Sequence, residues 1–365
     1  MNFGFTEEQE LLRDQVWRFM QQDCPMTEVR RIAASPNGFS KALWQRMGEL
    51  GWLGLVIPEQ YGGLGLRWVD LVVLLDETGR GLCPLPLVSH HLAATAIVAG
   101  GTEAQKQCWL PKLAHGEIVA TLGLYDDPSW IEPRAVRLEA RGGTVSGNKP
   151  FVADAPAADL LVLACRSADG LALGLIDRAT TGVTVAKEPS MDTTKPTGTV
   201  TLDGVVLDAD RTMPLDDAFL ARLTDCGAVA VTAEMVGAAE AGLALTMAYA
   251  RTRVQFGAPI GRYQGVKHRL ADMFVDVESF KSLLYYAAWT VDDAPAELPR
   301  AASLAKAYAS DAFAKIGIDV VGLHGAIGFT AEYDAQLFLK RSKWARPAWG
   351  DSDYHYERVA ALRGL

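Results

Sequence analysis

A block of short β-type runs divides this 365-residue chain into three parts, and this division restricts the possible folds more than any other feature. Apolar side chains recur at helical spacing before about residue 118 and again after about residue 212. Between these regions lie short runs rich in Val, Leu and Ile, interrupted by Gly, Asp and Pro, at 160–165, 171–176, 183–186 and 199–207. The pattern predicts an α+β protein with domains at 1–117, 118–212 and 213–365.

Local signals predict where several elements begin. Thr6 with Gln9, and Thr102 with Gln105, have the spacing of capping boxes, so we expect a helix to begin after each threonine. An Asp-Gly pair at 203–204 interrupts the last β-type run. This pair predicts either a hairpin turn or a bulge within one strand.

The segment 251–264 joins two predicted helices and brings fixed cations beside a tight glycine turn. A long apolar helical pattern at 228–251 leads into it, and Arg253 is followed closely by Phe256 and a glycine. Phe256 is an aromatic residue of the type that is usually buried. Cations beside a glycine turn suit a phosphate or pyrophosphate group. An ordinary helix–turn–helix corner with surface arginines is the alternative interpretation.

The composition favours a cytoplasmic protein without a metal site. The net charge of -9 disfavours nucleic acid and anionic membranes as general partners. The five cysteines are far apart in the chain, and no Cys-x-x-Cys or Cys/His pairing suggests zinc. We therefore expect reduced, mostly buried thiols. The N-terminus lacks signal-peptide character, and we expect no apolar run of transmembrane length.

Four motifs follow one another along the chain. They are Gly51-Trp-Leu-Gly with Pro58-Glu-Gln-Tyr-Gly-Gly-Leu-Gly65, Gly101-Thr-Glu-Ala-Gln-Lys with Trp109-Leu-Pro, Arg253-Val-Gln-Phe-Gly257 with Gln264, and His324-Gly-Ala-Ile-Gly-Phe-Thr330. Each motif is weak alone. Together, in this order and spacing, they resemble the acyl-CoA dehydrogenase family, and the resemblance covers nearly the whole chain.

The resemblance implies a fold, a cofactor and a substrate. The implied fold has an N-terminal helical domain, a central small β-barrel-like domain and a C-terminal four-helix bundle. The implied cofactor is FAD, which accepts the β-hydride of an acyl-CoA substrate while a glutamate takes the α-proton. A second flavoprotein is implied as the electron acceptor. The family's FAD-binding positions correspond here to Arg253, Gln255, Phe256, Gln264, Gly325 and Gly328.

The family's catalytic base is missing at its usual position. The Glu-Gly-Thr of the family corresponds here to Trp349-Gly-Asp351, and an indole cannot accept a proton. Asp351 is a weak candidate base, and its residue type also suits a helix N-cap. Some family members carry the base at the entrance of the long central helix, and the residue at that position in this chain is Gly227. Asp225 lies nearby, and we expect it in a loop or as a helix cap. Glu234 on the same helix is a second weak candidate.

Other departures concern contacts to the flavin. The family's Trp-x-Thr or Trp-x-Ser corresponds to Phe151-Val-Ala153, which keeps an aromatic ring but loses the hydroxyl donor. A glycine-rich loop of the family is represented only by Asp-Asp-Pro-Ser-Trp at 126–130. Gly322 and Ala326 replace a glutamine and a glycine.

These losses affect the flavin ring and the base, whereas Arg253 is retained. By resemblance, the Arg-x-x-Phe-Gly turn of family tetramers reaches the FAD of a neighbouring subunit. We therefore expect the non-catalytic partner in a bacterial heteromeric acyl-CoA dehydrogenase of the two-subunit type, a type that includes enzymes acting on CoA thioesters of steroid side chains. Two alternatives stay open: a self-sufficient homotetrameric dehydrogenase or oxidase with a displaced base, and a flavin-free binding or scaffold protein of this fold.

Overall fold

The computed structural model describes residues 5–127 and 131–365. The chain forms two compact units. We call the first the helical unit, and it comprises Met1–Val29, Val72–Cys83 and Ala228–Leu365. We call the second the mixed unit, and it comprises Arg30–Leu71 and Pro84–Gly227.

Along the chain, α-helices precede and follow the main β-region, as the sequence predicts. In chain order they are α1 (Glu7–Asp23), α2 (Met26–Ala33), α3 (Lys41–Glu49), α4 (Trp68–Arg80), α5 (Leu87–Gly100), α6 (Glu103–Ala114), α7 (Asp217–Thr252), α8 (Gln264–Asp293), α9 (Leu298–His324), α10 (Ala335–Ala345) and α11 (Ser352–Leu362). Both predicted capping boxes are present, at Thr6 with Gln9 and at Thr102 with Gln105. In each box the threonine hydroxyl accepts from a backbone N–H of the first turn, which otherwise has no partner in the helix.

The strands belong to the mixed unit except for one short hairpin. They are β1 (Ala120–Gly123), β2 (Glu139–Arg141), β3 (Thr144–Ala153), β4 (Leu160–Ser167), β5 (Gly170–Asp177), β6 (Val183–Glu188), β7 (Thr197–Val206), β8 (Thr212–Pro214), and the hairpin pair β9 (Val254–Gln255) and β10 (Ala258–Pro259). The main sheet has the order β6-β7-β3-β2-β4-β5-β8, and β1 pairs in parallel with β4. The α+β fold is confirmed, but the described strands form an open path rather than a closed barrel.

The Asp-Gly pair at 203–204 forms a bulge rather than a hairpin turn. It lies within β7, where Val205 pairs with Val145 but Leu202 pairs with Gly147. The pairing therefore shifts register at this point, and Gly204 has φ 62°. The extra residue kinks β7 next to β3, the strand that carries Phe151.

The backbones of α4 and α7 approach closely at two glycines of the helical unit. A Cβ on Gly79 would lie 2.5 Å from the Glu234 Cα, and one on Gly237 would lie 1.8 Å from the Asp76 carbonyl oxygen. Neither position has room for a side chain. The small residues of α7 therefore permit the close helix approach that the apolar, glycine-containing sequence predicts.

Charged side chains from four helices meet in the interior of the helical unit. Arg13 on α1 donates through Nε to Glu77 at 2.9 Å, and Arg80 donates to the other Glu77 oxygen at 3.3 Å. Lys281 on α8 pairs with Glu240 on α7. The three cations thus engage two carboxylates, and these pairs link α1 to α4 and, separately, α7 to α8.

Two helices, Asp217–Thr252 and the apolar stretch Leu298–Phe329, are long and apolar enough to cross a membrane by length and composition alone. The sequence expectation that no such run exists is therefore wrong. The share of the apolar window buried inside the protein is 78% for the first and 50% for the second. This burial is what core helices of a folded unit show, because their apolar faces are covered by neighbouring elements.

Candidate functional site

A strained turn stands between α7 and α8. Strands β9 and β10 pair antiparallel, which leaves Phe256 and Gly257 as a two-residue turn. The φ angles are 51° at Phe256 and 76° at Gly257, and a type I′ turn requires positive φ at both positions. Glycine adopts this conformation freely, whereas phenylalanine is strained in it.

Hydrogen bonds from neighbouring residues hold this turn in place. The Tyr263 hydroxyl donates to the carbonyl oxygens of Gln255 at 3.1 Å and Phe256 at 3.0 Å. The Ile260 N–H donates to the Arg253 carbonyl oxygen at 2.8 Å. The surrounding contacts therefore stabilise a backbone conformation that Phe256 would not adopt alone.

The Phe256 ring is 94% exposed in the single chain. The expectation of a buried aromatic is thus wrong here, because a residue at the tip of a two-residue turn has no helix to cover it. The ring meets Tyr263 edge-on, with 6.3 Å between ring centroids. A large apolar ring fixed in an exposed, strained turn is typical of a residue that another molecule covers.

Four of the predicted cofactor-binding residues surround this turn. Arg253, Gln255 and Phe256 belong to the hairpin, and Gln264 is the first residue of α8. All four are exposed, and the Gln255 side-chain amide donates to the Val254 carbonyl oxygen at 2.8 Å. The structure brings these residues together, while their contacts to FAD stay a prediction.

Two further predicted positions follow α9. Gly325 has φ 66°, and a Cβ built on it meets nothing within 4 Å. A Cβ built on Gly322 would find Arg269 as its nearest neighbour, at 4.0 Å. Gly328 is buried, and a Cβ there would lie 2.6 Å from the Val321 carbonyl oxygen. Gly325 therefore borders open space, whereas packing alone already requires glycine at 328.

Trp349 lies in a fixed backbone turn before α11. The φ angles are 58° at Trp349 and 96° at Gly350. The buried Lys306 ammonium on α9 donates to the carbonyl oxygens of Gly350 at 2.7 Å and Arg346 at 2.8 Å, and to the Ser310 hydroxyl at 2.8 Å. Its three N–H donors thus have three acceptors. Burial lowers the pKa of Lys306 to about 7.

His355 on α11 holds the same turn. Its Nε2 donates to the Trp349 carbonyl oxygen at 3.0 Å, and its Nδ1 accepts from the Ser303 hydroxyl at 3.2 Å. Burial, and then the charge of Lys306, lower the pKa of His355 to about 3, so the ring is neutral. We call Lys306 and His355 together the turn clamp. It fixes the backbone at the position of the family's base, but the side chain there is an indole.

One of the two weak candidate bases caps a helix, and the other is buried. Asp351 is the N-cap of α11, as predicted, and its Oδ1 accepts from the Tyr354 N–H at 2.9 Å. Glu234 is 2% exposed, at the point where α7 meets the backbone of Gly79. Whether either carboxylate has a catalytic role stays a prediction.

The alternative base position is not at a helix entrance. The structure has Gly227 inside α7, which begins ten residues earlier at Asp217. Asp225 is likewise within the helix and is buried, so the expected loop or cap role is wrong. The segment from 217 to 227 is less uniformly apolar than the rest of α7, and for this reason the sequence did not indicate that the helix already begins at 217.

The side chain of Phe151, on β3 of the mixed unit, points outward. The pairing of β3 with β7 shifts register between Lys149 and Val152. Phe151, within this irregular stretch, has φ 53° and is 57% exposed. Ala153 ends β3, and its carbonyl oxygen accepts from the Thr121 hydroxyl at 2.5 Å. The predicted loop at 126–130 lies partly outside the described residues, at 128–130.

Comparison with known proteins identifies the family. Residues 6–117 match the family profile described as Acyl-CoA dehydrogenase, N-terminal domain, and residues 220–362 match Acyl-CoA dehydrogenase, C-terminal domain. Acyl-CoA dehydrogenase IpdE2 of Mycolicibacterium smegmatis is 33% identical over 358 residues, covering 98% of this chain and 99% of that protein. The chain belongs to the acyl-CoA dehydrogenase family. Members of this family are FAD-dependent oxidoreductases that act on acyl-CoA, and FAD is the cofactor.

Two solved structures are similar to this chain over nearly its full length. The ChsE4-ChsE5 complex from Mycobacterium tuberculosis gives a TM-score of 0.92 at 26% identity and covers 100% of this chain and 99% of that chain. A variant of the Tcur3481-Tcur3483 steroid ACAD gives a TM-score of 0.88 at 27% identity and covers 98% of each chain.

Features of the helical unit fit part of an FAD molecule. The exposed ring of Phe256 and the open space around Gly257 and Gly325 would accept a flat or extended group without a steric clash. Arg253 adds an exposed cation suited to a phosphate oxygen. In the mixed unit, the position at which the family resemblance implies a hydroxyl donor to the flavin is occupied by Ala153, which has no hydroxyl.

The turn clamp has only a weak signal in the sequence. Lys306 is the one lysine in the predicted helical run 301–321 before Lys315, and most neighbours of Lys306 are alanine or other small residues. A lysine flanked on both sides by small and apolar residues, as at 301–310, is a usable signal, because a buried charge requires dedicated partners. The partners themselves, at 346 and 350, could not be identified without the fold.

Proposed function

We propose that this chain is the non-catalytic subunit of a heteromeric acyl-CoA dehydrogenase, which introduces a Cα–Cβ double bond into an acyl-CoA thioester. The main observation in support of this proposal is the turn at residues 349–350. Its backbone is fixed by Lys306 and His355, yet Trp349 cannot accept a proton. When bound, FAD supplies the acceptor for the substrate hydride. In this proposal the base comes from the partner subunit, and this chain contributes Phe256 and Arg253 to a shared FAD site.

Relatives that work as pairs support a paralogous partner. The ChsE4-ChsE5 structure is a complex, and the Tcur3481-Tcur3483 structure is described as a steroid ACAD. On this likeness we propose a partner of the same fold, a heterotetrameric assembly and a steroid-derived acyl group. A cytoplasmic location and a flavoprotein electron acceptor complete the proposal.

An exposed apolar face on α8 supports association with another subunit. Its buried face carries Met273, Val277, Phe280 and Leu284, none more than 1% exposed. The opposite face carries large apolar side chains that are 39–60% exposed in the single chain: Phe274, Val275, Tyr286 and Trp289. Such a second apolar face on one helix is typical of a helix that is covered on both sides in an assembly.

The decisive experiment is co-expression with the paralogous chain encoded by a neighbouring gene, followed by measurement of flavin per polypeptide. About half a flavin per chain, with turnover of an acyl-CoA by the complex alone, is the expected result, since two chains share each site. Full flavin content and turnover by this chain alone would overturn the proposal.

Matched variants test the shared site within the complex. Phe256→Ala is expected to reduce flavin content without unfolding the chain, because its ring makes few contacts within its own chain. Leu11→Ala is the control, since Leu11 is also an exposed apolar residue, at 70%, but lies on α1. Equal flavin content in both variants would show that Phe256 does not belong to the FAD site.

A self-sufficient dehydrogenase is less well supported. It would need Asp351 or Glu234 as base, and the first caps α11 while the second is buried where α7 meets α4. Asp351→Asn and Glu234→Gln test this alternative directly in the chain expressed alone. A colourless protein both alone and with its partner would instead favour the flavin-free scaffold.

A further inference from the structure

The solvent-facing side of α8 carries a seven-residue repeat. Its members follow one another at alternating steps of four and three residues, the spacing that keeps side chains in one stripe along a helix. We call this set the α8 stripe, and its members are His268, Asp272, Val275, Ser279, Ser282, Tyr286, Trp289 and Asp293. All of them are exposed except Ser279, which is half-buried. The stripe lies opposite the buried face of α8, so it is not part of the core of this unit.

The middle of the stripe permits another helix to come close. Ser279 and Ser282 are the two shortest side chains of the set. Their hydroxyls donate within α8, to the carbonyl oxygens of Val275 at 2.7 Å and Glu278 at 2.9 Å. A helix packed against this point would therefore leave both hydroxyls with their partners, and covering them would cost little.

Two copies of α8 that run antiparallel would match the stripe to itself. With a two-fold axis between positions 280 and 281, each stripe residue faces the one equally far from the axis in the other copy. These pairs join two small side chains, an aliphatic and an aromatic one, a carboxylate and an indole N–H donor, and a base and an acid. In this order they are Ser279 with Ser282, Val275 with Tyr286, Asp272 with Trp289, and His268 with Asp293.

A parallel arrangement of the same two helices fits less well. It would place each residue against its own copy, so that Asp272 and Asp293 would each meet a like charge. In the antiparallel arrangement the basic residues 267–269 of one copy instead lie beside the acidic residues 292–293 of the other. The helix dipoles also oppose each other favourably in this direction. The charges of α8 thus select both the direction and the register of the pair.

We propose that the α8 stripe binds a second copy of this chain, with α8 packed antiparallel against α8 of that copy. The turn at Phe256 lies outside the stripe and is left for the paralogous subunit. In a heterotetramer the two copies of this chain therefore touch each other through Val275, Tyr286 and Trp289, with aromatic side chains of the kind that concentrate in interface cores. The contact does not depend on the proposed function, because it needs neither FAD nor a paralogue.

The first experiment places a charge in the contact and measures mass by sedimentation. Val275→Glu is suited to this, because Val275 is 60% exposed and glutamate is compatible with a helix. The wild-type chain alone is expected to be a dimer, and Val275→Glu a monomer at the same concentration. In the complex with the paralogue, the mass should fall from four chains to two, one of each kind. Leu11→Glu on α1 is the control, since Leu11 is 70% exposed and should leave both masses unchanged.

The masses also show which molecule covers the stripe. If Val275→Glu releases the paralogue from this chain, the paralogue is the occupant and the self-pairing is refuted. An unchanged mass in Val275→Glu refutes it as well, as does a wild-type chain that is monomeric both alone and beside the paralogue. If no complex with the paralogue forms, the proposed function fails, while a dimer of this chain alone that Val275→Glu separates still supports the pairing.

A charge exchange tests the antiparallel register. His268→Glu would face Asp293 of the other copy, and this repulsion occurs twice in a two-fold contact, so the dimer should dissociate about tenfold more readily. Adding Asp293→Lys restores opposite charges at both places and should recover the wild-type dissociation constant. If the double variant stays as weak as His268→Glu, positions 268 and 293 do not face each other and the proposed register is wrong.

Discussion

Replacing Asp76 by asparagine is expected to flatten the pH dependence of stability. Asp76 is 2% exposed in the helical unit, and its Oδ2 accepts from the Tyr285 hydroxyl at 2.8 Å. Its Oδ1 has no hydrogen-bond partner among the described residues. The nearby cations are engaged by Glu77 and Glu240. An ionised Asp76 would therefore be a buried charge without a cation of its own.

The size of the effect follows from the shift in pKa. Burial first, and then the charges of Glu240 and Glu77, raise the pKa of Asp76 from 3.8 to about 8. The native state thus keeps a proton that the unfolded chain releases above pH 3.8. Stability from this proton is complete below pH 3.8 and is lost as the pH rises through about 8, at about 1.4 kcal/mol per pH unit. From about pH 5 to pH 8 the wild type should lose about 4 kcal/mol that Asp76→Asn keeps.

Urea unfolding at a series of pH values, followed by circular dichroism, measures this difference. Asp169→Asn is the control, because Asp169 is exposed at the turn before β5 and should leave the wild-type slope unchanged. If Asp76→Asn shows the same slope as the wild type, Asp76 is ionised in the native state. The argument from the engaged cations would then be incorrect.

Three other substitutions have defined outcomes. Burial, and then the charge of His90, lower the pKa of His91 to about 3. Below pH 6.5 the unfolded His91 ring therefore binds a proton that the native ring does not bind, and the native state loses stability as the pH falls. His91→Leu should reduce this loss of stability below about pH 6.5, measured by acid titration of the circular dichroism signal. Phe256→Gly should raise the thermal midpoint of the isolated chain, because it relieves about 1 kcal/mol of backbone strain, and should lower flavin retention in the complex. A lower midpoint would contradict the inference that the backbone at Phe256 is strained. Gly237→Ala, whose Cβ would lie 1.8 Å from the Asp76 carbonyl oxygen, should cost at least about 3 kcal/mol in urea unfolding, and a near-neutral result would refute the tight helix contact.

The sequence predicted those features that depend on neighbouring residues. The capping boxes at Thr6 and Thr102 and the N-cap at Asp351 were all correct, because each requires residue types only a few positions apart. The order of helical and β regions followed from periodicity, which each segment carries by itself. The four predicted cofactor-binding residues around the Phe256 turn lie between 253 and 264, so a short stretch of sequence was enough to predict that they lie near one another.

Features set by distant contacts could not be predicted in this way. The exposure of Phe256 depends on a turn whose tip no helix covers, and its residue type alone suggested burial. The bulge that turns Phe151 outward arises from pairing with β7, some fifty residues later. The proton on Asp76 depends on which cations Glu77 and Glu240 engage, and those come from α1, α4 and α8.

The turn clamp has a consequence for how this chain could change over evolution. Lys306 and His355 bond carbonyl oxygens at 349 and 350, and every residue type provides a carbonyl. The two contacts that hold the turn therefore stay available whichever side chain it carries at 349. A gene duplication could exchange a carboxylate for an indole here, and thereby divide catalysis and support between two copies, while both copies keep the contacts of the turn clamp. Because the turn clamp does not depend on the side chain at 349, one substitution there can change the chemistry of the subunit.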